Sequence, residues 1–237
     1  MSNYDIFARF YDSVMGERTE ESASIEKIIK QYNPPAKKLL ELGCGTGTFL
    51  KYFLDRKFQV EGIDLSEEML VIARQKLPEA LLSRQNMTSF SLPDKFDVII
   101  CLFDSINHLV EYADWEAVFS RVHFHLNEGG LFIFDINTLH KLEELAKNKP
   151  VVREFDGKKM TMTVTPKDGA YNWNVEIIER ENNNEEEVHS ENIQEQSFPL
   201  QVVRNSLEKL FSNINMFDQN DSEASETSMR VYFACQK

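Results

Sequence analysis

The segment Leu39-Leu40-Glu41-Leu42-Gly43-Cys44-Gly45-Thr46-Gly47-Thr48-Phe49-Leu50 constrains this chain more than any other. An apolar run enters a glycine-rich turn, and an apolar-periodic segment follows, which predicts strand, turn and helix. Further on, Val60-Glu61-Gly62-Ile63-Asp64 predicts a second strand that ends in an acid. A βαβ unit with glycines at its first turn and a carboxylate closing the next strand can hold an adenosine. Glycines let the backbone approach a ligand, and the carboxylate accepts hydrogen bonds from ribose hydroxyls. The plain alternative is that the glycines serve a tight turn only.

The spacing discriminates between cofactors. A dinucleotide fingerprint, G-x-G-x-x-G, uses its third glycine for close helix–strand packing, and Thr48 stands at that position here. A nucleotide-dependent oxidoreductase is therefore disfavoured. The pattern is instead Glu41-x-Gly43-x-Gly45-x-Gly47.

Around this unit, apolar segments alternate with helical ones. Residues 1–33 read as helical and end at Pro34-Pro35. Strands are expected over 39–42, 58–63, 80–85, 96–102 and 131–135. Helices are expected over 47–56, from the N-cap Ser66 to Pro78, and over 113–126, with a short helix after Asp135. This alternation predicts an α/β fold with a doubly wound, mostly parallel sheet. From 151 to 198 the period changes to two, with breaks at Asp156-Gly157, Lys167-Asp168-Gly169 and Asn182-Asn183-Asn184. The reading is an antiparallel meander of about four strands inserted into the α/β domain. It either covers a core edge or forms a lid or wall over a substrate pocket. A helix over 200–211 and strands over 213–218 and 228–235, joined by a mobile acidic hairpin loop, return to the main sheet. The expected division is 1–150 plus 199–237 for the cofactor-binding domain and 151–198 for the insertion.

The 237 residues carry a formal charge of −13, which repels a phosphate backbone and an anionic membrane surface. No run of eighteen apolar residues occurs, and the first residues lack a secretion-signal layout. Cys44, Cys101 and Cys235 are odd in number and far apart, as expected of reduced thiols in a cytoplasmic protein, and no Cys/His spacing suggests a metal site.

On these residues the chain resembles the class I S-adenosylmethionine-dependent methyltransferases over most of its length, excluding the meander. The resemblance implies a Rossmann-like sheet of seven strands, with the last antiparallel beside the fifth. It implies S-adenosyl-L-methionine as cofactor, with Glu41, Gly43, Cys44, Gly45 and Gly47 around its methionine end. Asp64-Leu65-Ser66-x-x-Met69-Leu70 resembles the second motif, in which Asp64 grips the ribose while Leu65 and Met69 pack on the adenine. Asn86 and Met87 fall at the adenine rim; Asn86 replaces the family's Asp and can accept from the adenine amino group through its carbonyl oxygen. Leu102 opens the segment after the fourth strand, Leu102-Phe103-Asp104-Ser105-Ile106-Asn107-His108, which faces the transferable methyl. That segment lacks the Asn/Asp-Pro-Pro-Tyr/Phe run common among enzymes acting on nucleic-acid bases.

The start, Tyr4-Asp-Ile-Phe-Ala-Arg-Phe-Tyr11-Asp12, resembles small-molecule enzymes related to sugar N-methyltransferases and glycine N-methyltransferase, in which an N-terminal tyrosine reaches the cofactor. Tyr4 and Tyr11 are the matching candidates. The expected reaction is in-line transfer of a methyl group to N or O of a small molecule, with His108 as candidate base and Tyr11 beside it. No nucleic-acid or membrane partner is expected, and the protein should be a monomer or homodimer. A non-catalytic cofactor-binding or partner subunit is the alternative. Cys44 is expected as a cofactor contact rather than a nucleophile, and His123, His125, His140 and His189 are read as surface or meander residues without a role.

Overall fold

The computed structural model describes residues 7–180 and 186–237. Tyr4 and the predicted turn at 182–184 lie outside the described residues. The expected N-terminal helical region is two helices, α1 (Ala8–Met15) and α2 (Thr19–Tyr32). Gly16, at φ 67°, separates them and donates its N–H to Asp12 O. The elements that follow are β1 (Lys38–Leu42), α3 (Thr48–Asp55), β2 (Gln59–Asp64), α4 (Glu67–Lys76), β3 (Leu81–Arg84) and β4 (Phe96–Cys101). A 3-10 turn, Ser105–His108, leads to α5 (Tyr112–His125), β5 (Leu126–Asn137) and α6 (Leu139–Lys147). Ser66 caps α4, accepting from the Met69 N–H, with Glu67 and Glu68 in the first turn.

The meander is present as β6 (Val151–Phe155), β7 (Lys158–Lys167), β8 (Ala170–Arg180) and β9 (Glu186–Glu195), all antiparallel neighbours. Its first two turns are Asp-Gly pairs with positive φ at both residues, the geometry that matches strand twist. Then α7 (Leu200–Leu207), β10 (Ile214–Asp218) and β11 (Arg230–Gln236) complete the chain. Two boundaries differ from expectation. Strand β5 begins at Leu126 rather than 131, because Gly129 at φ 72° lets the chain bend within the strand, where its pairing to β4 shifts register. Helix α7 ends at Leu207 rather than 211, because Leu207 O accepts from both Leu210 and Phe211 N–H in a tightened final turn.

The main sheet has the order β10-β11-β5-β4-β1-β2-β3. Strands β1 to β5 pair in parallel, and β11 runs antiparallel to β5 and β10, as the resemblance implies. Strand β4 lies on the opposite side of β1 from β2, so the order reverses between β1 and β4. Loops diverge at such a reversal and leave a crevice at the carboxyl ends of the strands. One sheet face packs Phe132, Phe134 and Phe233, with ring centroids 4.8 and 4.6 Å apart, against Trp115 and Phe119 of α5. The other buries Ile25 and Ile29 of α2 and Leu50 and Phe53 of α3. A separate apolar cluster joins Phe7 and Phe10 to Met160, Val175, Ile177 and Ile193 of the meander.

Gly62, in β2, is where α3 and the glycine turn press on the sheet. A Cβ there would lie 2.7 Å from Leu50 Cδ1, 2.9 Å from Cys44 Sγ and 2.9 Å from Leu82 Cδ2. Three neighbours must move at once, so Gly62→Ala is expected to destabilise the protein by about 1–3 kcal/mol, as overpacking does. Urea unfolding measures this; a loss well below that range would mean that the turn can shift freely.

Candidate active site

The glycine turn is held by Asp64. Its Oδ2 accepts from Gly45 N–H at 2.8 Å and its Oδ1 from Ser66 N–H at 2.8 Å. The carboxylate thus ties the loop after β1 to the loop after β2. Asp64 therefore does more than end a strand, and removing it loosens both loops. Burial pushes its carboxyl up, while the Ser66, Gly45 and Leu65 N–H groups pull it back.

The three glycines differ in what they face. Gly45, at φ 53°, has nothing within 4 Å of its missing Cβ and opens onto the cavity. Gly43 abuts Ser105 Oγ, 2.9 Å from an added Cβ. Gly47 faces away: its missing Cβ points at Leu77 Cδ1 (2.6 Å) and Ala73 Cβ (3.4 Å), so it seats α3 on α4 and lines no part of the cavity.

The cavity has a volume of about 550 Å³ and runs from this turn to the meander. Gly43, Gly45, Asp64, Leu65, Met69, Asn86, Met87, Tyr11 and His108 all line it. Glu41, Cys44 and Leu102 line a small recess beside it, which Tyr11, Gly43 and Gly45 share. Glu41 is buried, and among the described residues its Oε2 has no hydrogen-bond partner. Burial, with the Asp64 charge added, holds its carboxyl well above the ordinary range. Burial likewise pushes the Cys44 thiol up, which suits packing rather than nucleophilic attack. Asn86 Oδ1 accepts from the N–H and the hydroxyl of Thr88, at 2.9 and 3.0 Å, so both of its lone pairs are already engaged. The Tyr11 hydroxyl is held above its ordinary value by burial and by Asp104. Its helix is anchored over the turn by Asp12, which accepts from Thr46 Oγ1 (2.6 Å) and pairs with Lys76 (2.5 Å). Asp12 carried no sequence signal of this role.

Beyond β4 the cavity has a polar floor. Phe103 and Asp104 both have positive φ, 62° and 54°, an arrangement that costs energy in non-glycine residues. Asp135, 1% exposed, compensates by accepting from their N–H groups at 2.6 and 3.1 Å. The Arg230 guanidinium bridges Asp135 and Asp104 and donates to Asn137 Oδ1 at 3.1 Å. Burial opposes the Arg230 charge, but the two carboxylates hold its pKa above the ordinary value.

Asn107 stitches the 3-10 turn to its surroundings, donating to Asn137 O and Gln196 O and accepting from Asn137 N–H. His108 Nδ1 lies 3.2 Å from Gln194 O. A carbonyl only accepts, so Nδ1 carries the hydrogen of this contact. Donor atoms of Asp104, His108 and Glu195 lie within 4.8 Å of one another. Glu195 is buried, accepts from Asn137 Nδ2 at 2.8 Å, and is held well above the ordinary carboxyl range by burial and by Asp104. Of the other histidines, His125 is buried in the core rather than at the surface, with Arg121 O and Leu92 N–H as its partners.

Arg230→Ala leaves two carboxylates facing each other without their cation. The expected loss is about 3–5 kcal/mol, the usual cost of breaking a buried pair from one side. Adding Asp135→Asn should recover part of it in chemical denaturation. If the double variant is no more stable than the single, charge is not what holds this floor.

A sequence profile of the methyltransferase domain matches residues 39–130. An uncharacterized methyltransferase of Bacillus cereus is 32% identical over 160 residues, which is 62% of this chain and 74% of its own. The dTDP-3-amino-3,6-dideoxy-alpha-D-glucopyranose N,N-dimethyltransferase of Streptomyces fradiae is 36% identical over 115 residues, 48% of this chain and 45% of its own. The crystal structure of an S-adenosylmethionine-dependent methyltransferase from Clostridium acetobutylicum superposes with a TM-score of 0.86 at 26% identity, covering 99% of both chains. The chain belongs to the S-adenosylmethionine-dependent methyltransferases.

Proposed function

We propose that this methyltransferase acts on a nitrogen or oxygen of a small molecule, with the acceptor seated on the polar floor and His108 as its base. The observation that carries this reading is the His108 ring, oriented by Gln194 O, on a wall of the cavity that Gly45 and Asp64 also line. Two features fit the cofactor. Glu41 Oε2, buried and unpartnered among the described residues, suits its ammonium group, and the space over Gly45 is one that any Cβ would fill. Asp64 would hold the ribose, Leu65, Met69, Asn86 and Met87 the adenine, and Tyr11 the side toward the methyl. Bound S-adenosylmethionine supplies a methyl group on an already positive sulfur. The chain's own tasks are then alignment and exclusion of water, worth up to about 7–11 kcal/mol in the best cases.

An amine arriving protonated must lose a proton before it can attack. His108 would accept it, beside Asp104 and Glu195. The sugar N,N-dimethyltransferase named above supports a small amine as acceptor. The meander residues Met160, Met162, Trp173 and Val175 line the same cavity, which favours the insertion as a substrate wall over a mere edge cover. The charge of −13 supports a partner other than nucleic acid, and three buried unpaired thiols support a reducing, cytoplasmic setting.

His108→Asn should lower kcat by about 10²–10⁴-fold and remove the acid limb of the kcat/KM profile, with cofactor affinity unchanged. Wild-type turnover in that variant would leave alignment as the sole device. Glu41 gives a second expectation. Its carboxyl is held high in the free protein, and a cation beside it lowers it, so cofactor binding expels a proton. Affinity should therefore rise with pH between the bound-state and free-state values and level off above the latter. Calorimetry in buffers of different ionisation enthalpy detects the proton, and Glu41→Gln should abolish its release. Equal release from both proteins would mean that the ammonium group binds elsewhere.

A further inference from the structure

The segment between β3 and β4 puts Gln85, Asn86 and Met87 on the cavity wall, yet it has no strand or helix of its own to hold it there. Its first residue is fixed from the sheet: Gln85 donates its N–H to Asp64 O at 3.0 Å and its Nε2 to Ser83 Oγ at 3.0 Å. Its far end is fixed from α5, by two side chains one helical turn apart. Arg121 donates to Phe90 O through Nε, at 2.8 Å, and through a second guanidinium nitrogen, and it has no salt bridge among the described residues. His125, 1% exposed, accepts the Leu92 N–H at Nε2 (3.2 Å), donates from Nδ1 to Arg121 O (2.7 Å) and stacks on Phe90 with ring centroids 4.5 Å apart. An N–H only donates and a carbonyl only accepts, so the ring is neutral with its hydrogen on Nδ1. Burial, with the Arg121 and Lys95 charges added, holds the ring below its ordinary value and so keeps it in that form.

The two ends are joined inside the segment. Ser91, between the two anchored residues, donates its N–H to Gln85 Oε1 at 2.9 Å, so the backbone closes on itself with Asn86 and Met87 inside the loop. Ser89 N–H, donated to Asn86 O at 3.0 Å, tightens that loop. A short chain of contacts therefore runs from the buried His125 through Leu92 and Ser91 to Gln85 on the cavity wall. Packing α5 on the sheet does not require these groups, since Trp115, Val118, Phe119 and Val122 already bury that helix. Two guanidinium donors on one carbonyl and two ring nitrogens on backbone are instead spent on fixing one loop. We infer that Arg121 and His125 are positioning residues for the cofactor, holding residues 85–87 where its adenine packs, a role that rests on the reading of that segment as the adenine side of the site. Neither residue lines the cavity, and both act through Gln85.

The test measures binding of S-adenosylhomocysteine and of adenosine to the full chain by calorimetry. His125→Phe keeps a ring, its volume and the stack on Phe90, but has no acceptor for the Leu92 N–H. His125→Gln gives up the ring and keeps an amide acceptor near the Nε2 position. The Phe variant should bind both ligands about three- to tenfold more weakly, the size of one hydrogen bond, and the Gln variant should recover most of that loss. The reverse order, with Phe like the wild type and Gln impaired, would mean that His125 only fills the core, and overturns the inference. Gln85→Met keeps the length of the side chain but cannot accept from Ser91, and it changes a half-buried position, so it decides the matter even where His125→Phe does not fold. It should lose a similar factor, and the two substitutions together should lose little more than either alone, as members of one chain of contacts do. Wild-type affinity in Gln85→Met, or losses that multiply in the double variant, also overturn the inference. A loss confined to S-adenosylhomocysteine would place the adenine elsewhere, and the reading of residues 85–87 then fails as well. Unchanged binding of both ligands in every variant removes the positioning role and leaves that reading standing; both fall if the wild type binds neither ligand.

Discussion

Loops at the carboxyl ends of parallel strands have unpaired N–H groups, and in this protein carboxylates from neighbouring strands hold them. Asp64, at the end of β2, takes the Gly45 and Ser66 N–H groups, and Asp135, in β5, takes those of Phe103 and Asp104. The two clasps stand on either side of the point where strand order reverses. The second fixes a loop in a backbone conformation that costs energy, since Phe103 and Asp104 are non-glycine residues with positive φ. The crevice is therefore a consequence of charge placed at strand ends, and the hydrophobic sheet beneath serves to hold those ends in register.

Holding the crevice open in this way places acids in a dry environment. Glu41, Asp64, Asp135 and Glu195 are all pushed above the ordinary carboxyl range by burial. Among the described residues, Asp135 alone of these four has a salt-bridge partner, Arg230. Asp64 and Glu195 face the cavity and Glu41 the recess beside it, where a cationic ligand would supply what the fold leaves out. This is the expected division between structural and functional buried charge: matched charges fix a loop, and unmatched ones are poised for a ligand.

Much of this was legible in the sequence, because its signals are local. The glycine turn, Asp64 closing β2, the Ser66 cap and the Asp-Gly turns of the meander each depend on a few adjacent residues, and each stands where it was expected. The long-range polar floor was not legible. Arg230 reaches Asp135 across 95 positions of sequence, and Asn107 reaches Gln196 across 89. No periodicity or spacing announces such pairs, since they follow from β11 lying beside β5 and from the meander returning over the 3-10 turn. The roles of the glycines were also only partly readable. The motif treats Gly47 like Gly45, yet one supports helix packing and the other opens to the cavity, a difference that depends on where α4 lies.

The cavity is composite, and its two halves derive from different parts of the chain. The match to the methyltransferase domain ends at residue 130, within β5. It takes in Glu41, Gly45, Asp64, Asn86 and His108, the proposed cofactor side and the candidate base. Lys141, Arg153, Trp173, Glu195 and Arg230 all lie beyond it, on α6, the meander and β11. Similarity within the first part therefore carries the cofactor from one protein to another but does not carry the acceptor. The acceptor is set by elements whose packing demands are loose: an apolar sheet face, an exposed strand and a helix face can change side chains without disturbing the clasps at the strand ends.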